Sequence, residues 1–273
     1  MKKMRVIYNR SDEFPDLGLN LYAGCSHDCW YCYKKRDDRQ EGPYDIPAKG
    51  ATLQNIQNDL MELRGSGDIR PVIISVFCDP YDLGRKDDIK PKGLMKYFGE
   101  DDQKAISGVS DSFTRTVLKT FRVYEYPFYI LTKGGTKAVK DFDLYGPNDQ
   151  FGVTLTFDND ADSRKWEPGA ALPGDRIAAL EEAHKQKIRT CVSIEPVIYP
   201  DQSMNLIERT NDFVDLFCVG KLNRHPKVTW TVPEEWPTVD WPKFRNDVEA
   251  LLQKCGKQLG IGYLLDRQLI EAR

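Results

Sequence analysis

Five short runs of apolar and β-branched residues punctuate the middle of the chain, at 72–77, 128–131, 151–156, 190–194 and 216–219. Each is short and nearly continuous in hydrophobicity, the pattern of a strand buried on both faces of a parallel sheet. Between them apolar residues fall three and four apart, which predicts helices over 55–63, 112–124, 175–186 and 206–213, with Asp175 as an N-cap. Alternation of strand and helix implies βα units with right-handed crossovers. A cysteine-bearing loop near residue 25 followed by such units fits an α/β fold, a partial (β/α)6 barrel with parallel strands. In parallel barrels chemistry collects at the carboxyl ends of the strands, so the residues just after each run are the ones to inspect.

The tail has a different pattern. Beyond residue 223, Pro226, Pro233, Pro237 and Pro242 interleave with Trp230, Trp236 and Trp241. Proline at this density forbids long regular elements, so the segment reads as an irregular strap that packs its indoles on the barrel. A helix is expected from Pro242 to about Cys255, with proline in its first turn. The expected organisation is therefore a barrel core over 1–224 and a Trp/Pro-rich extension over 225–273 packed on it.

Composition narrows the class only a little. The 273 residues are 40% hydrophobic and 30% charged, values of an ordinary globular protein, and their number suits one large domain with a small appendage. No apolar run is long enough to span a bilayer, and the basic start Met1-Lys2-Lys3 is not followed by a signal-type stretch. Seven cysteines, an odd number, argue against a secreted disulfide framework and for a reducing cytoplasmic setting. A net charge of −3 disfavours a strong general nucleic-acid binder while leaving room for a local basic groove.

The cysteine spacing changes the picture most. Cys25, Cys29 and Cys32 form a Cys-x3-Cys-x2-Cys run with Tyr31 just before the last. Three thiolates on one loop can ligate three irons of a [4Fe–4S] cube and leave the fourth open, whereas an electron-transfer cluster usually takes four cysteines. Structural zinc is the rival reading, but it normally takes four ligands from two separated knuckles. No second Cys-x2-Cys follows, and His27, squeezed between two ligands, is badly placed to complete the same tetrahedron. Unpaired core thiols are the remaining alternative.

Polar residues recur where the barrel reading places a site. Cys78-Asp79-Pro80-Tyr81-Asp82 follows the first of the five runs, Thr132-Lys133-Gly134 the second, Glu195-Pro196 the fourth and Gly220-Lys221 the fifth, while Thr154 and Thr156 lie at the end of the third. Solvated loop starts are also polar, so their coincidence at successive strand ends carries more weight than any one of them.

The run 20–33 around the cysteines, then Asp79-Pro80-Tyr81, Thr132-Lys133 and Glu167-Pro168-Gly169 with Arg176 downstream, resembles the spore photoproduct lyase-related branch of the radical S-adenosylmethionine superfamily. The resemblance covers most of residues 18–223. It implies that Cys25, Cys29 and Cys32 hold a [4Fe–4S] cluster whose open iron chelates S-adenosyl-L-methionine, which is cleaved to a 5′-deoxyadenosyl radical that takes hydrogen from a substrate. It also implies that Tyr31 packs beside the adenine, that Asp79 belongs to the cofactor site, and that Lys133 reaches the cofactor carboxylate. Thr154 and Thr156 become candidates for the ribose, and Glu195 for a hydroxyl or the cofactor ammonium. Cys78 is the candidate radical relay, against a bland reading as a small core residue. The stretch 83–110 is longer than the branch normally has, either a substrate lid or a surface insertion.

The function so implied is a lyase-like radical enzyme acting on a nucleic-acid base or nucleotide, in the manner of a DNA-repair photolyase. Its electron donor would be a flavodoxin or ferredoxin. The alternatives are a radical peptide- or protein-modifying enzyme and a non-catalytic metal-stabilised binding protein.

Overall fold

The computed structural model describes residues 5–11, 14–32, 43–85, 112–222 and 232–259. One sheet carries eight strands in sequence order: β1 (Tyr8–Ser11), β2 (Phe14–Leu19), β3 (Val72–Ile74), β4 (Phe128–Thr132), β5 (Gln150–Thr154), β6 (Arg189–Ile194), β7 (Leu216–Val219) and β8 (Gln258–Leu259). β1 pairs antiparallel with β2, and every later pair is parallel. The first and last strands do not pair with each other among the described residues, so the sheet is open.

Helical segments return the chain after each of β2–β7, which gives the six units of the partial barrel. They are α1 (Leu53–Ser66), α2 (Phe113–Val123), a 3-10 helix (Gly135–Leu144), α3 (Asp160–Trp166) with α4 (Pro173–Lys185), α5 (Pro200–Thr210) and α6 (Trp241–Lys254). Alternation along the strands separates two faces. Val72, Ile74, Phe128, Ile130, Phe151, Val153, Val192, Ile194, Phe217 and Val219 join the main core with the helices. Ile73, Tyr129, Leu131, Gly152, Cys191, Ser193 and Cys218 therefore turn to the concave side. Gly152 lets the Tyr129 ring lie against the sheet, since a Cβ there would sit 3.0 Å from the Tyr129 hydroxyl and 3.0 Å from the Cys191 carbonyl.

Several boundaries differ from expectation for local reasons. The run 72–77 is a strand only to Ile74, because Ser75 adopts a left-handed φ of 67° while its N–H donates to Leu19 O at 2.6 Å. Asp175 is not the N-cap of α4. Leu172 is, with Pro173 opening the helix, and the Asp175 carboxylate accepts from Thr136 N (3.0 Å) and Oγ1 (2.7 Å), tying the 3-10 helix to α4. α5 starts at Pro200, ahead of the expected 206, and ends at Thr210.

The tail helix forms where expected, over Trp241–Lys254, but the tail is more than a strap on the barrel. Asp240 caps α6, whose Phe244, Val248 and Leu252 join the main core, and β8 then adds a parallel strand beside β7. Trp236 packs on the barrel as expected, and Trp241 packs on Phe244; Trp230 lies outside the described residues. Of the stretch 83–110, only Leu83, Gly84 and Arg85 are described. Among the described residues no helix is long and apolar enough to cross a membrane.

Candidate active site

The loop Asn20–Cys32 leaves the carboxyl end of β2 and crosses the mouth of the sheet, pinned on both flanks. On the β3 side, Ser26 donates through its N–H (2.5 Å) and its hydroxyl to the two oxygens of buried Asp82, and Gly84 N donates to Asp82 Oδ1 at 2.9 Å. On the far side, Gly169 N donates to His27 O at 2.9 Å and Trp30 N to Trp166 O at 2.8 Å. Only glycine fits at 169. A Cβ there would sit 2.8 Å from His27 Cα and closer still to the Ser26 carbonyl. Asp28 takes a left-handed φ of 54°, which Asp tolerates better than most residues, and Cys32 N closes a turn onto Cys29 O at 3.1 Å. Trp30, Trp166 and Trp236 then meet edge to face, so the tail clasps the loop between its second and third cysteines.

The loop presents its thiols unequally: Cys29 is buried, Cys32 half-buried and Cys25 exposed. Burial pushes the Cys29 thiol up to about 12, with the positive charges of Lys133 and Arg176 pulling the other way. The other four cysteines supply no fourth ligand. Cys78 packs against the main core, Cys191 and Cys218 face each other across β6 and β7 with Sγ atoms 3.9 Å apart, and Cys255 caps α6. A trio on one multiply pinned loop at the strand ends, with no fourth thiolate, fits a site-differentiated [4Fe–4S] cluster.

Beneath the loop lies a buried charged group. Arg176, fully buried, donates from Nη2 to Glu167 Oε2 (2.6 Å), from Nε to Ala171 O (2.6 Å) and from Nη1 to Thr154 O (2.8 Å). The Tyr31 hydroxyl donates to the other oxygen of Glu167 and lies 3.1 Å from Thr156 Oγ1. Lys133 Nζ stands 4.0 Å from Glu167 Oε1 and 5.5 Å from the Tyr31 ring centroid. Burial alone would raise the Glu167 carboxyl, but Arg176, Lys133 and its hydrogen bonds outweigh that and hold it below the ordinary range. Burial, reinforced by the Glu167 charge, lifts the Tyr31 phenol well above its usual value, so it stays a donor.

Asp79 fastens this group to the strand ends. Its Oδ1 accepts from Tyr81 N (2.8 Å) and Thr132 Oγ1 (2.6 Å), and its Oδ2 accepts from Lys133 N at 2.7 Å and lies 3.5 Å from His27 Nδ1. Thus the structure brings Tyr31, Thr156, Lys133, Asp79 and the three cysteines together, with Thr154 joined through its carbonyl. Both Asp79 oxygens are committed to protein donors, so this residue sets the Lys133 backbone. Glu195 stands apart at the end of β6, where its Oε2 accepts from Ser193 Oγ at 2.9 Å. Cys78 sits as a small core residue would. The sequence names Glu167, Arg176 and Asp82 without giving any of them a role. The one local signal is Glu167 beside Pro168-Gly169, readable only once its partner Arg176 is known to be near.

A comparison with curated protein sequences gives no match. Among solved structures, a spore photoproduct lyase mutant superposes with a TM-score of 0.66 at 11% identity, covering 95% of this chain and 79% of that one. A spore photoproduct lyase complexed with dinucleoside spore photoproduct gives 0.62 at 14% identity with the same coverage. Streptococcus suis SuiB bound to S-adenosylmethionine gives 0.59 at 10% identity, covering 89% of this chain and 45% of that one, so the chain spans about half the length of SuiB. At these identities the likeness speaks for the fold alone. Family membership comes from the sequence itself: residues 19–214 match the Radical SAM superfamily, a span that runs from the end of β2 to the threshold of β7 and includes every cysteine of the loop. The chain belongs to the radical S-adenosylmethionine superfamily, whose enzymes use a [4Fe–4S] cluster and S-adenosylmethionine.

Proposed function

We propose that this radical S-adenosylmethionine enzyme acts on a nucleic-acid base or nucleotide admitted to the concave face of the sheet. In this reading Cys25, Cys29 and Cys32 hold the cluster and the Lys133 ammonium meets the cofactor carboxylate, a task suited to a flexible point charge. Thr154 and Thr156 border the ribose, and Glu195 takes the cofactor ammonium or a substrate hydroxyl. When bound, the cluster and S-adenosylmethionine supply the electron and the carbon-centred radical. The protein contributes position and dryness. Tyr31 and Lys133 are held by Glu167, Asp79 fixes the turn that carries Lys133, and the indoles of Trp30, Trp166 and Trp236 shield the loop from water. The electron would come from a flavodoxin or ferredoxin in a cytoplasmic setting.

One observation carries the substrate class. The likeness spans 79% of a spore photoproduct lyase complexed with a dinucleoside spore photoproduct, against 45% of SuiB. The concave face agrees: Ile73, Leu131 and the Tyr129 ring, which Gly152 lets lie against the sheet, offer an apolar surface for a planar base. A duplex base would have to leave its stack to reach it, and a net charge of −3 suits a nucleotide or single strand better than a duplex. SuiB bound to the precursor peptide SuiA keeps a peptide substrate as the competing outcome. The test is stimulation of 5′-deoxyadenosine formation in anaerobically reconstituted protein by dinucleotides and short single strands, run beside unstructured peptides. Stimulation by the nucleotides supports the reading; stimulation by peptides alone overturns it.

A further inference from the structure

The cysteine loop holds a second set of metal donors that the three-thiol arrangement does not use. Cys25 Sγ, an imidazole nitrogen of His27 and a carboxylate oxygen of Asp82 all lie within 4.8 Å of one another. His27 is 2% exposed, and its Nε2 is buried without a hydrogen-bond partner among the described residues. Its Nδ1 faces Asp79 Oδ2 at 3.5 Å. A carboxylate on that side favours the proton on Nδ1, which leaves Nε2 a bare lone pair in a dry place. A buried acceptor with nothing to accept from is costly. A carboxylate behind an imidazole is also the usual outer-shell support of a metal-bound histidine.

Asp82 is prepared in the same way. Its oxygens accept from Ser26 N, Ser26 Oγ and Gly84 N, which fixes its orientation. An ionised carboxylate has about four acceptor positions, so one stays open. His27, badly placed to join Cys25, Cys29 and Cys32 in one tetrahedron, lies instead with Cys25 and Asp82.

We propose that, in the cluster-free chain, Cys25, His27 and Asp82 bind a single divalent cation of borderline softness, for which Zn2+ is the fitting ion, with water as the fourth ligand. Sulfur, nitrogen and oxygen donors together suit Zn2+ better than Mg2+ or Ca2+, which want oxygen throughout. Binding releases the Cys25 thiol proton to solvent. One thiolate and one carboxylate then balance the ion, so the loaded site is neutral beneath the loop. Tetrahedral bonds of about 2.0–2.3 Å put ligand atoms about 3.5 Å apart. The trio needs to contract by about an ångström, within the reach of side-chain rotation. Cys25 belongs to both sets, so the ion and the iron–sulfur cluster exclude each other, and Zn2+ holds the loop of a chain still waiting for its cluster.

The sets share Cys25 but differ in Cys29 and Cys32 against His27 and Asp82, so changes at the unshared residues let this inference and the cluster assignment fail independently. The test uses full-length metal-free protein in which Cys29→Ala and Cys32→Ala have removed the cluster. Zn2+ affinity is measured by competition with a chromophoric chelator, and Co2+ is substituted to report thiolate ligation by its charge-transfer absorption. The double variant should bind one Zn2+ and show the absorption of a single thiolate. Adding His27→Gln should weaken Zn2+ at least tenfold, and adding Cys25→Ser should abolish the Co2+ charge-transfer band. Asp82→Asn should weaken Zn2+ comparably; if that variant unfolds by circular dichroism, His27→Gln decides alone. Loss of Zn2+ on removing Cys29 and Cys32, or unchanged affinity after His27→Gln, overturns the site.

Discussion

Two buried carboxylates brace the cysteine loop from opposite flanks, and they do it differently. Asp82 holds the first half, at Ser26, using only neutral donors: two N–H groups and a hydroxyl. Glu167 holds the second half, at Tyr31, and is neutralised by the full charge of Arg176 at 2.6 Å, with both side chains 0% exposed. The first arrangement is a set of ordinary hydrogen bonds, each removable at modest cost. The second is a buried ion pair, where removing one partner strands the other charge in a dry interior. The half of the loop that carries Cys29, Tyr31 and Cys32 therefore rests on a charged pairing beside its indole contacts and the Trp30 N–H bond to Trp166, and the half that carries Cys25 on several small neutral ones.

The sharpest way to break this contrast is Arg176→Met, which strands Glu167 and should cost about 3–5 kcal/mol in urea denaturation. The double change Glu167→Gln with Arg176→Met should restore much of it, and a loss below about 1 kcal/mol for the single change would refute the buried-pair account. Gly169→Ala forces the β-carbon into the backbone at Ser26 and His27 and should cost about 1–3 kcal/mol while impairing iron loading. Asp82→Asn keeps an acceptor and should cost only about 1 kcal/mol.

Acid sharpens the comparison. For Glu167, burial pushes upward, but Arg176 and Lys133 prevail; for Asp82, burial pushes upward, but the Ser26 hydroxyl and N–H prevail. Both carboxyls are held below their unfolded values. Each therefore contributes stability that is complete above the unfolded carboxylate range of about 4 and is lost as pH falls through the depressed folded value. Unfolding free energy measured from pH 6 down to 3 should slope less in Glu167→Gln than in Asp82→Asn. Equal slopes would erase the distinction. The smallest structural effect belongs to Lys133→Ala, whose ammonium stands 4.0 Å from Glu167: stability should change by about 1 kcal/mol or less, while S-adenosylmethionine affinity by calorimetry falls clearly.

The parts of this molecule legible in the chain are those that local pattern encodes. The five apolar runs became β3–β7 because their hydrophobicity is continuous, and the loop was legible because its three thiols lie within eight residues. β2 escaped because Pro15 and Gly18 interrupt it; Gly18 is required where a Cβ would strike the Tyr8 ring at 2.8 Å. β8 is only two residues long and exists by pairing with β7. The 3-10 helix has no periodicity to announce it, and Asp175 looked like a cap because its true partner, Thr136, lies 39 residues away. The braces of the loop were hidden for the same reason. Ser26 meets Asp82 across 56 residues, and Tyr31 meets Glu167 across 136, so neither pairing leaves a mark in spacing. Chemistry concentrated in one segment was readable. The support it rests on was not.

The central claim is that this loop runs radical chemistry. The direct measurement is anaerobic reconstitution with iron and sulfide, addition of dithionite and S-adenosylmethionine in the presence of a short single-stranded oligonucleotide, and quantification of 5′-deoxyadenosine by chromatography. The account predicts its formation by the wild-type chain and its loss in Cys29→Ala. A chain that carries a full cluster and binds S-adenosylmethionine by calorimetry, yet forms no 5′-deoxyadenosine with either oligonucleotide or peptide present, would contradict it.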